Sequence, residues 1–160
     1  MTTCTTSIAT KELEVRYGKT VAVTDVNLDI PAGSLLSVIG PNGAGKSALL
    51  KALAGAIEIH SGDIDIPGPP PSFVMQSTEV DPSLPISVKD VVSLARYSNR
   101  GLFKRFRKKD RDAVDEAIER LNLKDLAKRQ LHELSGGQRQ RVLVAQGLAQ
   151  DSNVLLLDEP

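Results

Sequence analysis

Cysteine, aromatic residues and an excess of either charge are all scarce in this sequence. Cys4 is the only cysteine among 160 residues, so no disulfide and no cysteine-based metal site can form within the chain. Aromatic residues make up 3% of the chain and hydrophobic residues 41%, which is typical of a soluble α/β domain. Lysine plus arginine and aspartate plus glutamate both number 20, so the net charge indicates no polyanionic partner.

Long apolar runs are missing as well. No apolar stretch approaches membrane-spanning length, and residues 1–10 lack the basic start and apolar centre of a secretory signal. We therefore expect any association with a membrane to depend on a partner. The length is sufficient for one domain with a buried core.

A glycine-rich segment, residues 40–47, has the pattern G-x-x-x-x-G-K-S of a phosphate-binding loop. It follows an apolar segment of buried-strand type at 34–39 and precedes strong helix formers at 48–54. Glycines allow the backbone N–H groups to approach phosphate oxygens closely, and the helix start adds partial positive charge. The predicted nucleotide-binding residues of this loop are Gly40, Pro41, Asn42, Gly43, Ala44, Gly45, Lys46 and Ser47.

Two residues at the end of the loop carry specific predictions. Lys46 is expected to reach the β- and γ-phosphates as a point charge, and Ser47 to offer its hydroxyl oxygen to Mg²⁺. The alternative is an ordinary glycine-rich turn, which the strand–loop–helix context disfavours.

Alternating polar and apolar residues predict several strands. The first is predicted at 11–17, and the second ends at Ile30. A turn is predicted at Ser61–Gly62, followed by a strand in the alternating segment 63–66. A further short strand is predicted at 72–76.

The central part of the chain is predicted to be helical. Ser87 can cap a helix over about 88–97, and Asp110 can cap the next one. That second helix has an apolar stripe at helical spacing, formed by Ala113, Val114, Ala117, Ile118 and Leu121. Between the two helices, residues 100–109 are basic with two phenylalanines. A solvated loop is favoured there over a docking surface or a nucleic-acid patch.

The segment Leu134–Gln138, with the sequence LSGGQ, opens a further helix. Ser135 and Gln138 have the spacing of a capping box. Gly136 and Gly137 leave the N–H groups of the helix start uncovered, so this end could meet an anion. A second phosphate-binding helix start and a plain helix cap are both open interpretations.

The apolar strand at 154–157 ends in two carboxylates. Asp158 at the strand tip can hold Mg²⁺ through its water shell, and Glu159 can accept a proton from water attacking a γ-phosphate. Two adjacent acids are common on protein surfaces, but a phosphate loop in the same chain favours the functional interpretation.

With these residues in place, the sequence from about Leu13 to Pro160 resembles an ATP-binding-cassette ATPase, the motor subunit of ABC transporters. The phosphate loop, the LSGGQ signature and the acid pair occur in the family's order. The resemblance implies an α/β fold: a P-loop NTPase core with an antiparallel β subdomain and an α-helical signature subdomain. The β subdomain and core are expected at about 11–86, the helical subdomain at 87–134, and the signature helix and acidic strand at 135–160.

The resemblance also implies roles for single residues. Tyr17 falls where an aromatic ring stacks on adenine, and Gln76 where a glutamine contacts Mg²⁺ and the attacking water. Asp158 assists the metal and Glu159 is the catalytic base. Two domains pair head to tail around two ATP molecules, so the signature, led by Ser135, serves the ATP of the other copy. Leu134, Gly136, Gly137 and Gln138 complete that signature.

The implied partners are a second ATPase domain, most simply a homodimer, membrane permease subunits and, indirectly, an extracytoplasmic substrate-binding protein. No nucleic acid is expected. The implied location is the cytoplasmic face of the cell membrane. Residues 76–150 are similar to the metal-ion uptake branch, for manganese, zinc or iron. The alternatives are a soluble ABC-type ATPase that uses residues 100–109 on nucleic acid or the ribosome, and a catalytically impaired nucleotide-binding fragment.

The sequence departs from the family after the acid pair. It ends at Pro160, before the family's switch histidine, and neither His60 nor His132 stands in the matching place. The strands at 35–39 and 154–157 are therefore expected to lack neighbours, and the core to lack its C-terminal part. We expect a fragment that, in isolation, binds nucleotide weakly and hydrolyses it poorly.

Overall fold

The computed structural model describes residues 8–75, 85–97 and 106–158, and the chain divides into two units, 1–73 and 74–160. The first unit contains strands β1 (Ile8–Tyr17) and β2 (Thr20–Ile30), helix α1 (Lys46–Leu53) and strand β3 (Ser61–Asp65). Strand β4 (Ser72–Val74) lies at the division. The second unit contains helices α2 (Val88–Leu94), α3 (Lys108–Arg120) and α4 (Gly136–Ala149) and strand β5 (Leu155–Leu157). Single 3-10 turns, Lys124–Leu126 and Leu131–Glu133, lie between α3 and α4.

The first unit is built on a three-stranded antiparallel sheet in the order β2-β1-β3. The central strand β1 buries Leu13 and Val15 completely, whereas Tyr17 at its end is 50% exposed. Register shifts interrupt the pairing of β1 with both neighbours. Such bulges change which side chains face the core, so simple alternation describes this strand only in part.

The predicted turn at Ser61–Gly62 is wrong, because both residues belong to β3. Ser61 pairs with Glu14 of β1. Gly62 has a φ of +88°, and a Cβ added there would lie 2.5 Å from the carbonyl oxygen of Glu12. The absence of a side chain at Gly62 therefore allows β3 to lie close to β1, and the glycine does not form a turn.

The apolar segment at 34–39, predicted as a buried strand, forms no strand in the part of the chain that the structure describes. Leu35 is 98% exposed and Ile39 92% exposed. Neither sheet formed by the described residues includes this segment. A strand gains its stability from a neighbouring ladder, so the apolar sequence alone does not create one here. The helix predicted after the loop is confirmed as α1.

The second unit has a hydrophobic core between α2, α3 and α4, to which the loop before α4 also contributes. Its members are Val88, Val91, Val92, Ala95, Val114, Ala117, Ile118, Leu123, Leu131, Leu134, Val142, Ala145 and Ala149. The predicted cap of α2 is confirmed. Ser87 Oγ accepts from the Asp90 N–H at 3.2 Å, and Asp90 Oδ2 accepts from the Ser87 N–H at 3.1 Å.

The prediction that Asp110 caps α3 is wrong. The helix begins at Lys108, and Asp110 is its third residue. Its Oδ2 accepts from the backbone N–H of Arg107 at 2.9 Å, so it satisfies the helix start from inside the first turn. Asp110 is also buried, with 1% of its surface exposed.

Strand β5 pairs with β4, and the Asp158 N–H donates to the Val74 carbonyl oxygen at 3.0 Å. The expectation that the strand at 154–157 lacks a neighbour is therefore wrong, whereas the segment at 35–39 has none among the described residues. Across residues 8–75, 85–97 and 106–158, no helix combines the length and apolar character needed to cross a bilayer.

Candidate functional site

The loop at 40–45 has the backbone of a tight, glycine-dependent turn leading into α1. Gly43 has a φ of +83° and Gly45 a φ of +85°, both in the left-handed region that side chains disfavour. Gly45 is the N-cap of α1, and because glycine has no side chain, the first N–H groups of the helix receive no side-chain capping bond from this position. The first N–H groups of the helix are thus presented beside an exposed loop, which is the arrangement that binds anions.

Gly45 is also fixed by its surroundings within the first unit. A Cβ added at this position would overlap the carbonyl oxygen of Ala22 and lie 2.8 Å from Cγ2 of Val23. Strand β2 therefore packs directly against the backbone at the start of α1. A Cβ at Gly43 would meet nothing within 4 Å, so only its φ requires glycine.

The ammonium group of Lys46 is held by the loop itself. Its Nζ donates to the carbonyl oxygens of Gly40 and Pro41, both at 2.9 Å. The Ala44 N–H donates to the same Pro41 carbonyl oxygen at 3.2 Å and closes the turn. A positive charge and the start of a helix therefore occupy the same exposed loop. Ser47 follows in the first turn of α1 and is partly buried.

The signature segment forms the capped start of α4, as predicted. Ser135 is the N-cap; its N–H donates to Gln138 Oε1 at 2.9 Å, and its Oγ accepts from the Gln138 N–H at 3.3 Å. Leu134 is 2% exposed and belongs to the hydrophobic core. The hydrophobic core thus anchors one side of the turn, and the cap fixes the other.

Among the described residues, nothing gives Gly136 or Gly137 a steric reason to be glycine. Both are exposed, neither has a positive φ, and a Cβ added at either would meet nothing within 4 Å. Glycine inside a helix costs roughly 0.5–1 kcal/mol relative to alanine. The two glycines at the start of α4 therefore lower helix stability, and the packing of the described residues does not explain why glycine is present there.

The other predicted site residues are only partly described. Asp158 directly follows β5 and is partly buried. Gln76 and Glu159 lie outside the described residues. Within the described ranges, no group of three or more histidine, cysteine, aspartate or glutamate side chains is arranged to hold a metal ion.

Comparison with known proteins decides the family. A family model described as ABC transporter matches residues 23–160. The chain belongs to the ABC transporter family. It is 41% identical over 155 residues to the manganese transport system ATP-binding protein MntB of Listeria innocua, covering 92% of this chain and 65% of that protein. It is 38% identical over 161 residues to the zinc transport system ATP-binding protein TroB of Treponema pallidum, covering 96% and 60%.

Solved structures agree with this family and with the predicted fold class. The chain has a TM-score of 0.80 and 28% identity to cbiO1 of Clostridium perfringens, described as part of the ABC transporter complex cbiONQ. The match covers 98% of this chain and 66% of that one. This ABC chain thus spans about 60–65% of the length of the two curated relatives named above.

A buried ion pair in the helical unit was not predicted from the sequence. Arg96 and Asp110 are 6% and 1% exposed, and the Arg96 guanidinium donates to Asp110 Oδ1. One feature of the sequence could have indicated this pair, since Arg96 directly follows the mainly apolar segment Val91–Ala95. A charged side chain that is buried with such a segment needs a partner of opposite charge. The sequence pattern predicted only that Asp110 caps α3.

Proposed function

We propose that this chain is the ATP-binding and ATP-hydrolysing part of an ABC importer for metal ions or metal chelates. The observation that carries the proposal is the loop at 40–47, where left-handed glycines, a helix start and the Lys46 ammonium group occupy one exposed turn. This is a binding site for a polyanion such as the phosphates of ATP. The names of MntB and TroB support transport of metal ions.

In the proposed nucleotide site, each residue acts through its ordinary chemistry. Tyr17, half exposed at the end of β1, offers a ring face on which adenine can stack. The N–H groups of the loop and Lys46 hold the phosphates. Glu159 accepts a proton from the water that attacks the γ-phosphorus, and the bond to ADP breaks to give ADP and phosphate. Gln76 orients that water.

The donor set fits magnesium. Ser47, Gln76 and Asp158 would offer hydroxyl, amide and carboxylate oxygen atoms, directly or through water, and Mg²⁺ prefers such hard ligands together with substrate phosphates. When bound, the ion would neutralise charge on the phosphate oxygens during transfer.

The signature segment would serve the ATP of a second copy. Gly136 and Gly137 lower the helical stability of α4 without relieving any contact with the residues that the structure describes. A ligand that approaches the helix start from outside explains that cost, because only a bare backbone lets phosphate oxygens reach the N–H groups. Two copies paired head to tail would complete two sites, each with the loop of one copy and the Ser135 turn of the other.

The remaining partners follow from this assignment. Coupling to transport requires membrane permease subunits, which would hold the chain at the cytoplasmic face of the membrane. An extracytoplasmic binding protein would deliver the cargo. The description of cbiO1 as part of a transporter complex supports such an assembly.

Two substitutions with a matched control test the proposal. We expect Lys46→Ala to abolish measurable binding of Mg·ATP, because the loop loses its cation. In the complete protein, Glu159→Gln should keep ATP binding but lower turnover about 100-fold or more, since the base is removed. Lys51→Ala removes a lysine from the last turn of the same helix and should change neither quantity. Binding is measured with a fluorescent ATP analogue and turnover by phosphate release.

Retained ATP affinity in the Lys46→Ala protein would refute the nucleotide site. Full hydrolysis by the Glu159→Gln protein would exclude Glu159 as the base and leave ATP binding in place.

A further inference from the structure

Arg96 lies just after α2 and makes three charge-assisted hydrogen bonds in a buried position. Its Nε and Nη2 donate to Asp110 Oδ1 at 3.0 and 2.9 Å. Its Nη1 donates to the carbonyl oxygen of Ala149 at 2.9 Å. One side chain therefore connects the end of α2 to the first turn of α3 and to the last residue of α4.

The contact with Ala149 is made at a helix end. The last carbonyl groups of a helix have no partner within it and carry its partial negative charge. A guanidinium satisfies one of them and has the favourable sign of charge. Asp151, two residues further on, has its Oδ2 4.0 Å from Arg96 Nη2 and 3.2 Å from Lys109 Nζ. The exit from α4 is thus held by α2 and α3 together.

The same end of α4 packs directly on the strand that leads to Asp158. Gly147 is buried, and a Cβ added there would lie 2.7 Å from Leu155 Cδ1 and 2.8 Å from Val74 Cγ2. The backbone of α4 at Gly147 therefore lies directly against the side chains of Val74 in β4 and Leu155 in β5. A displacement of this turn would therefore displace β5, because close-packed contacts transmit movement.

Burial of the pair is not explained by stability alone. Removing two charges from water is costly, and well-packed apolar side chains of similar volume are often as stabilising as a buried ion pair. What apolar side chains cannot do is hold a carboxylate and a helix-end carbonyl in one fixed geometry, which the planar guanidinium does.

We propose that Arg96 and Asp110 are positioning residues for ATP turnover. They clamp the C-terminal end of α4, so that the signature turn at its other end and the strand β5 with Asp158 move as one body. The proposal rests on the proposed function, because it gives the pair a task only if this chain turns over ATP. In this proposal the pair acts through α4 and not by contact with the nucleotide.

A double substitution separates positioning from stability. Arg96→Met with Asp110→Leu removes both charges together and leaves no buried charge unpaired, while the bond to Ala149 is lost. We expect a folded protein whose melting temperature is lowered, because the Arg107 N–H and the Ala149 carbonyl oxygen lose their partners. Its affinity for ATP should be unchanged at a temperature where it is folded, and its kcat about tenfold lower or more. KM for ATP should change little. A merely structural pair would leave kcat unchanged in a folded protein.

The chain offers a matched control between the same two helices. Lys89 and Asp115 form an ion pair at 2.6 Å with side chains 50% and 59% exposed. Lys89→Met with Asp115→Leu removes an ion pair of equal charge from the surface and should leave kcat unchanged.

Arg96→Lys decides the question if the double variant does not fold. Lysine keeps the charge opposite Asp110 but lacks the fork that reaches Ala149 as well. A folded Arg96→Lys protein with lowered kcat supports the clamp, and one with parental kcat overturns it. Hydrolysis of ATP by the Lys46→Ala protein would mean that the proposed function has failed. If the Lys46→Ala protein is inactive but the Arg96 and Asp110 variants keep the parental kcat, the proposed function stands and only the clamp has failed.

Discussion

The phosphate loop and the signature turn both place a pair of glycines at the start of a helix, but for different reasons. Gly45 is required by its own chain, because its φ is +85° and a side chain would overlap Ala22. Gly136 and Gly137 have ordinary φ values, and in the described part of the chain no atom lies within 4 Å of an added Cβ. A glycine that nothing in its own chain requires indicates that the requirement comes from another molecule.

The two regions also differ in what holds them. The phosphate loop is held by the Lys46 side chain, which bonds to the carbonyl oxygens of Gly40 and Pro41, and by the packing of β2 against Gly45. The signature turn is fixed by Leu134 in the hydrophobic core and by the capping box of Ser135. Replacement of a glycine by alanine should lower stability at Gly45 and raise it at Gly137.

The largest effect is expected at Gly45. Gly45→Ala should lower the free energy of unfolding by about 2–4 kcal/mol, because a left-handed φ and a clash with backbone both penalise the side chain. Chemical denaturation measures the loss. Gly43→Ala is the matched control, with a similar φ but open space, and should cost only about 1 kcal/mol. Equal losses at the two positions would mean that β2 does not pack against the loop as described.

The smaller effect, of opposite sign, is expected at the signature. Gly137→Ala should raise the free energy of unfolding by about 0.5–1 kcal/mol, since alanine favours the helix and meets no neighbouring atom. The same variant should hydrolyse ATP more slowly, because a methyl group then covers the helix start. If stability falls instead, the glycine serves this chain's own fold and the contrast with Gly45 disappears.

The features that sequence predicted well are those specified by a few adjacent residues. The turn before α1 needs glycines at the two positions that have a positive φ, with a lysine directly after the second. The caps at Ser87 and Ser135 each need a polar partner three residues later. Such local rules can be read from the sequence without knowing the rest of the fold.

The features that sequence predicted poorly depend on distant partners. The segment at 34–39 has the composition of a strand but has no neighbouring strand in the described part of the chain. Aspartate is a residue type that often caps helices, which favoured that role for Asp110. Arg96, fourteen residues away in the sequence, instead pairs with it in a buried position. Gly62 belongs to a strand because β1 approaches it closely. Tertiary contacts of this kind override local preference.

The most direct test of the account mixes two defective copies of the protein. Lys46→Ala disables the phosphate loop. Gly137→Asp places a negative charge where a neighbour's phosphates would approach, while an acidic residue in the first turn suits the helix. We predict that neither variant associates with itself when ATP is added, but that the two associate with each other, because the mixed pair keeps one intact composite site. Light scattering or energy transfer between labelled copies measures this. Self-association of the Gly137→Asp protein equal to the parent's, or a mixture no better than either variant alone, would contradict the account.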